Sequence, residues 1–397
     1  MMKMQAGPRR RSALVLLLAA AGCSPKPSSS LPAPDSVPAP DPQTIESVLF
    51  LIGDPGDAYL STSPTLARMQ QDVEWWASRL DGDSTVAMFV LGDIRYPEGV
   101  RDPGTPEYPA DTAVVMSQVR VVAGPAAISH DAQAYFLAGN HDWGDREQFE
   151  GFSRLANLDQ VLARARGTLG VSTALIPQAG TGGPHVIDWG EHVRLIGLDT
   201  AWWLLAGDDP GKQEVVDSIR RVYQQAGDRE IMFLAHHPFN SAGPHGGGFS
   251  FWRTLGIRYL MFRAGAILQD ITARPFRVLD SGLRQIFESE GPPLAFLAGH
   301  DHSLQVIAGE RPSDPLFNVV SGAGSKMSDV AEGEGLLFGV SAPGYMKILI
   351  EKDGGMLLMV EAVEPEYLSC PTTQPELADC MAAGVAAFRT VFWTRMK

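Results

Sequence analysis

The sequence predicts an α/β fold in which two β-sheets pack face to face as a sandwich flanked by helices. Apolar runs of strand length alternate with helical patterns along most of the chain, and a series of strands follows them. Several of these runs are continuously apolar, which is typical of strands buried on both faces. Polar residues that can bind metal ions directly follow five of the runs, as they do at the sites of open α/β sheets.

The first predicted strand is the continuous apolar run at residues 48–52. Ser63 and Pro64 fit the N-cap and first turn of a helix that extends to residue 80. The further predicted strands are residues 86–91, 135–138, 193–198, 231–235, 294–298, 305–308, 316–320, 345–350 and 356–363. The further predicted helices are residues 111–127, 209–225 and 281–289.

Composition and charge limit the class of protein. A chain of 397 residues with 45% hydrophobic composition can bury a large core. The formal net charge of −14 argues against a nucleic-acid partner held by a basic surface. It does not exclude a small anionic substrate, because bound metal ions would dominate the local charge of such a site.

The N-terminus has the pattern of an export signal. A basic stretch containing Lys3 and the arginines at 9–11 precedes a short apolar core at residues 13–21. The core is too short to span a bilayer, and the residues around Cys23 resemble a bacterial lipobox. We therefore predict a lipoprotein signal peptide at residues 1–22 and a lipid-anchored protein of the bacterial cell envelope. Ser24 favours the outer membrane, on its periplasmic or surface face, because it replaces the aspartate that signals inner-membrane retention. An uncleaved anchor is the alternative.

Composition divides the rest of the chain into three parts. Residues 23–43 are rich in Pro, Ser and Ala, which predicts a disordered tether. Residues 44–365 form the predicted catalytic domain, and residues 366–397 a C-terminal tail. Cys370 and Cys380 are expected to form a local disulfide in an oxidising compartment, with two free thiols as the alternative.

Five motifs at predicted strand ends offer carboxylate, phenol, amide and imidazole groups. Ligands of these types, brought together by several strand ends, are what a two-metal hydrolytic site requires. The motifs are Gly-Asp-Pro-Gly at 53–56, Gly-Asp-Ile-Arg-Tyr at 92–96, Gly-Asn-His-Asp at 139–142, Ala-His-His-Pro at 235–238 and Gly-His-Asp-His at 299–302.

Each motif also has a structural interpretation when it is taken alone. Asp54 and Asn140 are typical turn residues, His236 fits a buried core histidine, and Tyr96 fits a surface aromatic residue. The occurrence of all five motifs at strand ends favours the metal site.

The motifs in this order resemble those of the metallophosphoesterase superfamily, and more closely those of the purple acid phosphatases of the small, tartrate-resistant type. Asp54 is followed by Gly56 where most of the superfamily has a histidine, and Tyr96 stands three residues after Asp93. The resemblance covers residues 47–361. It implies the calcineurin-like metallophosphoesterase fold.

The resemblance also implies a ligand set and an activity. Asp93 would bridge two metal ions, with Asp54, Tyr96 and His302 on the first ion and Asn140, His236 and His300 on the second. The first ion would be Fe(III), since a phenolate favours a hard trivalent ion, and the second Fe(II), Zn(II) or Mn(II). The implied activity is that of an acid phosphatase, which hydrolyses phosphomonoesters by attack of a metal-bound hydroxide.

Three further histidines are candidates for a role at the site. His141 is expected to donate a proton to the leaving group or a hydrogen bond to the phosphate. His237 occupies a position where small purple acid phosphatases often have a tyrosine, and it either contacts substrate or supports the ligands. His245 lies on a glycine-rich loop, either at the pocket mouth or in solvent.

Residues 249–268 form an arginine-containing apolar insertion with three interpretations: a lid or rim over the substrate, a helix on the lipid surface, or an extra helix packed on the core. Two functional alternatives also remain open at this stage. One is a phosphodiesterase or nucleotidase on the same scaffold, and the other is an envelope lipoprotein that keeps the fold without catalysis.

Overall fold

The structure, a computed structural model, describes residues 31–144, 148–178, 180–206, 211–246, 260–261, 264 and 270–397. Its helices are α1 Pro64–Ala77, α2 Tyr108–Val119, α3 Pro125–Ser129, α4 Gln148–Leu169, α5 Thr200–Leu205, α6 Gly211–Gln224, α7 Arg277–Glu290 and α8 Glu376–Ala387. Its strands are β1 Ile45–Ile52, β2 Thr85–Leu91, β3 Gln133–Leu137, β4 Ser172–Leu175, β5 His185–Trp189, β6 Val193–Gly197, β7 Glu230–Leu234, β8 Ala295–Ala298, β9 Leu304–Ala308, β10 Phe317–Ser321, β11 Leu336–Val340, β12 Gly344–Glu351, β13 Met356–Ala362 and β14 Arg389–Arg395.

The strands form two sheets of seven. The first sheet, sheet A, has the order β14-β13-β12-β1-β2-β3-β4, and the second, sheet B, has the order β11-β9-β10-β8-β7-β6-β5. Strands β1 to β4 run parallel, as do β6, β7, β8 and β10. Each sheet therefore has a parallel centre whose C-terminal strand ends meet at one edge, and antiparallel strands complete both sheets.

Successive side chains of each central strand point to opposite faces of its sheet, and each face packs against a different layer. In β1, Leu49 and Leu51 face the core between the sheets, while Val48, Phe50 and Ile52 face the helices outside sheet A. Helices α1, α2 and α4 contribute to that outer core, and α6 and α7 cover the outer face of sheet B. The result is a four-layer helix–sheet–sheet–helix arrangement, which confirms the predicted fold class.

The segments at either end of the predicted domain contain more ordered structure than their composition predicts. Residues 31–41 have no regular secondary structure, but they contact the domain through Leu31, Ser36 and their neighbours, which a disordered tether does not anticipate. Within residues 366–397, α8 is followed by β14, which pairs antiparallel with β13. The predicted boundary at residue 365 therefore does not coincide with an edge of the fold. The structure contains the disulfide between Cys370 and Cys380, as predicted.

Three predictions fall wholly or partly on residues that are not described. The signal peptide at 1–22 and the first residues of the tether lie outside the described residues, as does the insertion at 249–268 apart from residues 260, 261 and 264. Among the described residues, no helix has the length and apolar character needed to cross a membrane.

Candidate metal centre

The five motifs lie at the C-terminal ends of five parallel strands. Asp54 follows β1, Asp93 follows β2, Asn140 follows β3, His236 follows β7 and His300 follows β8. The site therefore spans the edges of both sheets, and the two sets of ligands meet across the sandwich.

Tight turns aim these side chains inward. Asp54, Asp93 and His300 have positive φ values of 60°, 53° and 69°, a left-handed conformation that is uncommon for residues other than glycine. Hydrogen bonds hold the turns, since the Asp54 N–H donates to the Gly92 carbonyl at 3.0 Å and the His300 N–H donates to Asp54 Oδ2 at 2.7 Å. Strained backbone of this kind persists where the surroundings fix it, and it is frequent at functional sites.

One group of ligands forms around Asp54. Ligand atoms of Asp54, Asp93 and His302 all lie within 4.8 Å of one another. The Tyr96 hydroxyl lies 3.1 Å from Asp54 Oδ1 and 3.2 Å from His302 Nε2. These four residues are the ones assigned to the first ion and its bridge, and the structure brings them together.

A second group forms around His236. Its Nε2 atom lies 3.0 Å from Asn140 Oδ1, 3.1 Å from His300 Nδ1 and 3.4 Å from Asp93 Oδ1. The Nδ1 atom of His236 lies 2.9 Å from the Leu91 carbonyl oxygen, to which it can only donate. That bond leaves Nε2 with its lone pair directed at the group, which is the tautomer a metal ligand needs.

Asp93 connects the two groups. It is buried, it belongs to the ligand set around Asp54, and its Oδ1 atom lies beside His236 while accepting the His141 N–H at 3.1 Å. A carboxylate in this position can serve both groups, as the predicted bridging role requires.

The donor set fits two bound cations. Asp54 and Asp93 are buried, and within the described residues their ion-pair partners are histidines, with no Lys or Arg among them. Buried carboxylates need compensating positive charge. Burial alone would raise the pKa of Asp54, but the hydrogen bond and charge of His302, with the charge of His236, hold it below its ordinary value. Burial would lower the pKa values of His236 and His302, but the same carboxylates raise both, so this site favours positive charge beside Asp54 and Asp93.

Asp142 holds two of the ligand-bearing loops together. Its carboxylate accepts the N–H groups of Gly139 at 2.8 Å and of Ile94 and Arg95 at 3.0 Å. Burial and the nearby charge of Asp93 raise the pKa of Asp142 to about 7, against the effect of these three donors. The side chain therefore ties the loop after β2 to the loop after β3, and so Asp93 to Asn140.

His141 lies at the rim of the first group. Its Nδ1 atom lies 2.6 Å from the Pro97 carbonyl oxygen, and its ring packs edge-on against Tyr96 with centroids 4.7 Å apart. Its Nε2 atom lies 3.9 Å from Asp93 Oδ2, and about a third of the side chain (32%) is exposed. The ring is therefore oriented with one nitrogen free to face a molecule entering from solvent.

His237 lies behind the second group. Its backbone N–H donates to Thr200 Oγ1 at 3.0 Å, and its Nδ1 atom lies 2.9 Å from the same hydroxyl. Its Nε2 atom is buried without a hydrogen-bond partner among the described residues, and its ring centroid lies 4.2 Å from that of His300. Burial, with the charges of His236 and His245, lowers its pKa well below the usual value. A neutral His237 forms a compact set of three ligand-type nitrogens with His236 and His300.

His245 lies beside the second group and is held there by Asp270, a residue outside the five motifs. Its Nδ1 atom lies 3.0 Å from Oδ1 of the buried Asp270, its N–H donates to Asp301 Oδ1 at 3.0 Å, and its ring centroid lies 4.4 Å from that of His300. The pocket-mouth interpretation of His245 is therefore supported over a histidine in solvent. Neither Asp270 nor Thr200 lies in a motif, so no local signal identifies them.

No family model matches the chain, and no curated protein sequence matches it. Many solved structures are similar to this chain, and three of them, all of low identity, cover 80–90% of it. GAP50, the anchor in the inner membrane complex of Plasmodium, is 14% identical over 80% of this chain and 85% of its own, with a TM-score of 0.49.

A purple acid phosphatase and PhoD are two further structures to which this chain is similar. Purple acid phosphatase PPD1 from yellow lupin (Lupinus luteus) seeds is 15% identical over 85% of this chain, with a TM-score of 0.48, and this chain covers 58% of the lupin protein. PhoD is 12% identical over 90% of this chain and 73% of its own, with a TM-score of 0.52. At 12% identity, the likeness to PhoD shows a shared fold and nothing beyond it.

Proposed function

We propose that this chain is a dinuclear-metal phosphoesterase that hydrolyses phosphomonoesters, similar to the small purple acid phosphatases. The observation that carries the proposal is the position of Asp93. It lies within the ligand group around Asp54 and its Oδ1 atom lies 3.4 Å from His236 Nε2 in the second group, so one carboxylate reaches both. Two ions sharing a carboxylate are the arrangement that phosphate-ester hydrolysis on such sites requires.

The proposed ligand set divides the residues by group. Asp54, Tyr96 and His302 would hold the first ion, and Asn140, His236 and His300 the second. When bound, the two ions would supply a water-derived nucleophile and neutralise charge on the phosphoryl oxygens. The phenol of Tyr96 favours Fe(III) in the first group, and the imidazole and amide donors of the second group suit Fe(II), Zn(II) or Mn(II).

The chain's own residues then position the substrate and handle protons. His141, fixed by Pro97 and partly exposed, is placed to donate a hydrogen bond to a phosphoryl oxygen. His245, oriented by Asp270 beside His300, is placed to give a proton to the leaving group. His237 is held by Thr200 and buried, which favours a role in supporting His300 rather than in touching substrate.

We propose a location in the bacterial envelope for this activity, supported by the sequence pattern at the N-terminus. The proposed mature protein begins at a lipidated Cys23 and is held at the membrane, with the outer membrane favoured by Ser24. The disulfide between Cys370 and Cys380 fits an oxidising compartment.

The test uses purified protein beginning at residue 24, with Asp93→Asn as the ligand variant and Asp83→Asn, at an exposed position before β2, as the matched control. Metal content and hydrolysis of p-nitrophenyl phosphate and bis-p-nitrophenyl phosphate are measured. We expect two metal ions per chain and preference for the monoester, with activity reduced at least about 100-fold in Asp93→Asn and unchanged in Asp83→Asn.

Each contrary outcome corrects a different part of the proposal. Preference for the diester would replace the phosphomonoesterase with a phosphodiesterase. A wild-type protein that binds no metal and hydrolyses neither ester would reject the enzyme and favour a non-catalytic envelope lipoprotein.

A further inference from the structure

The proline-rich segment at residues 31–43 is docked on the domain. Leu31 is only 7% exposed and packs in the core between the sheets. Its N–H donates to Glu364 Oε1 at 3.3 Å, and its carbonyl accepts from Arg389 Nη2 at 3.0 Å. Both backbone groups at the start of the described chain are therefore bonded to the C-terminal part of sheet A.

The contacts continue along the segment. Trp393 Nε1 donates to the Ser36 carbonyl at 2.7 Å, and Gln43 Nε2 donates to the Arg79 carbonyl at 3.0 Å. Between them, residues 38–40 line a cleft of about 430 Å³ together with Trp75 and Trp76 of α1. Tryptophan rings and side-chain donors to backbone carbonyls are the features by which proteins hold extended, proline-rich segments. We name residues 31–43 the strap.

The strap begins at the end of the molecule that carries the metal centre. Along sheet A, Leu51 near the end of β1 pairs with Met346, Gly344 pairs with Ala362, and Ala362 pairs with Arg389. Arg389, which binds Leu31, therefore lies at the same edge of the sheet as the loop after β1. β14 is three strands away from β1, about 14 Å along the sheet.

The connection between β7 and α7 starts at the metal-bearing end of the domain and contains two exposed apolar side chains. The chain between β7 and α7 leaves the His236 loop, and Ile271 N–H donates back to the His245 carbonyl beside the metal centre at 3.2 Å. Within this connection Leu260 is 67% exposed and Met261 is 42% exposed.

The docked strap shortens the free part of the tether. If all residues between Cys23 and the domain were free, about 20 residues would allow a reach of about 70 Å and little control of orientation. Only residues 23–30 separate Cys23 from the docked strap, and a chain of eight residues spans at most about 29 Å. That is less than half the reach of about 70 Å for the whole tether, so the anchored end stays close to the bilayer.

We propose that the strap holds the metal-bearing end of the domain toward the membrane, so that the substrate is a phosphomonoester carried by a lipid at the bilayer surface. This inference rests on the proposed function and on lipidation of Cys23. The specificity for such a substrate would come from the orientation of the domain. The strap fixes which end of the domain faces the bilayer surface, where the lipid phosphates lie.

The first experiment changes the free length without touching the fold. A twelve-residue Gly-Ser spacer is inserted between Ser30 and Leu31 of the lipidated mature protein, which is reconstituted in phosphatidylcholine vesicles containing phosphatidic acid. Hydrolysis of phosphatidic acid is compared with hydrolysis of soluble glycerol phosphate. We expect the ratio of the two rates to fall about fourfold, following the −3/2 power of tether length, with the soluble rate unchanged. An unchanged ratio would overturn the proposal.

The second experiment reads orientation without using activity. A single cysteine replaces Glu366, which is exposed just after β13 at the metal-bearing end, or Asp353, which is exposed in the turn at the opposite end. Each is labelled with a fluorophore in the lipidated protein, and energy transfer to an acceptor on the lipid headgroups is measured. We expect more transfer from position 366. Equal transfer, stronger transfer from 353, or an N-terminus without lipid by mass spectrometry would overturn the proposal.

The two experiments separate this inference from the proposed function. A protein that hydrolyses neither phosphatidic acid nor glycerol phosphate contradicts the phosphoesterase, while the transfer measurement still decides the orientation. A protein that hydrolyses glycerol phosphate and leaves the vesicle lipid intact contradicts the substrate class alone.

Discussion

A single methyl group at Gly299 is expected to disturb both halves of the metal centre. A Cβ atom there would lie 2.7 Å from Asp54 Oδ2 and 2.7 Å from the Leu91 carbonyl oxygen. Ordinary contact begins at 3.4 Å, so each oxygen would have to move by about 0.7 Å. Asp54 belongs to the first ligand group, and the Leu91 carbonyl orients His236 in the second.

The size of this displacement sets the expected effect. Metal–ligand distances tolerate deviations of about 0.2 Å, so the Gly299→Ala change exceeds that tolerance at two points. Overpacking of this kind typically costs about 1–3 kcal/mol of folding free energy. A displacement of this order at catalytic groups reduces the rate by about 100-fold. We therefore expect a Tm lowered by a few degrees and a much larger loss of metal and activity.

The assay pairs Gly299→Ala with Gly82→Ala, where a Cβ would meet no atom within 4 Å. Metal content, p-nitrophenyl phosphate hydrolysis and thermal unfolding are measured for both variants and the wild type. The Gly82 variant is expected to match the wild type in all three. If Gly299→Ala bound two ions and kept full activity, the geometry assigned to the two ligand groups would be refuted.

Three further predictions concern the ligands and the rim of the site. Tyr96→Phe is expected to weaken binding of the first ion by about 10- to 100-fold and to abolish any visible absorption band, and a band that survives would exclude a tyrosinate ligand. Burial on its own would lower the pKa values of His236 and His302, but the neighbouring carboxylates raise both. Metal binding should therefore release protons and weaken as the pH falls through these raised values, by up to about tenfold per pH unit for each proton. Titration calorimetry in two buffers of different ionisation enthalpy checks this, and equal heats in both would contradict it. Lys326 Nζ lies 3.0 Å from the centroid of the Tyr96 ring at the rim. Lys326→Met should raise KM for an anionic phosphomonoester about two- to fivefold, with Lys352→Met as the control, and a KM that does not change would remove Lys326 from substrate attraction.

The sequence allowed the centre to be predicted because five of its seven proposed ligands closely follow a strand. Asp54, Asp93, Asn140, His236 and His300 come within three residues of the ends of apolar runs, and parallel strands bring such ends to one edge. At these five residues the local sequence pattern therefore predicts the position of the side chain in the fold.

The supporting residues could not be predicted in this way. Asp270 lies 25 residues from its partner His245, and Thr200 lies 37 residues from His237. Neither pairing follows from strand order or helical periodicity, since each depends on where a loop crosses the site. Helix α4 was also not predicted, although Leu155, Leu158 and Leu162 bury one face of it.

Strand β14 shows how a terminal segment can be misjudged from composition. Its residues are mostly β-branched or aromatic, which suits a strand, but a strand is stabilised by its partner, and that partner is β13, about 30 residues earlier. Once β14 is in place, Arg389 and Trp393 present donors to the backbone of residues 31–36. The order of the N-terminal strap thus depends on the C-terminal strand. The predicted division into tether, domain and tail therefore separates two segments that stabilise each other, the strap and β14. Their contact through Arg389 lies at the end of the sheet where the metal ligands converge.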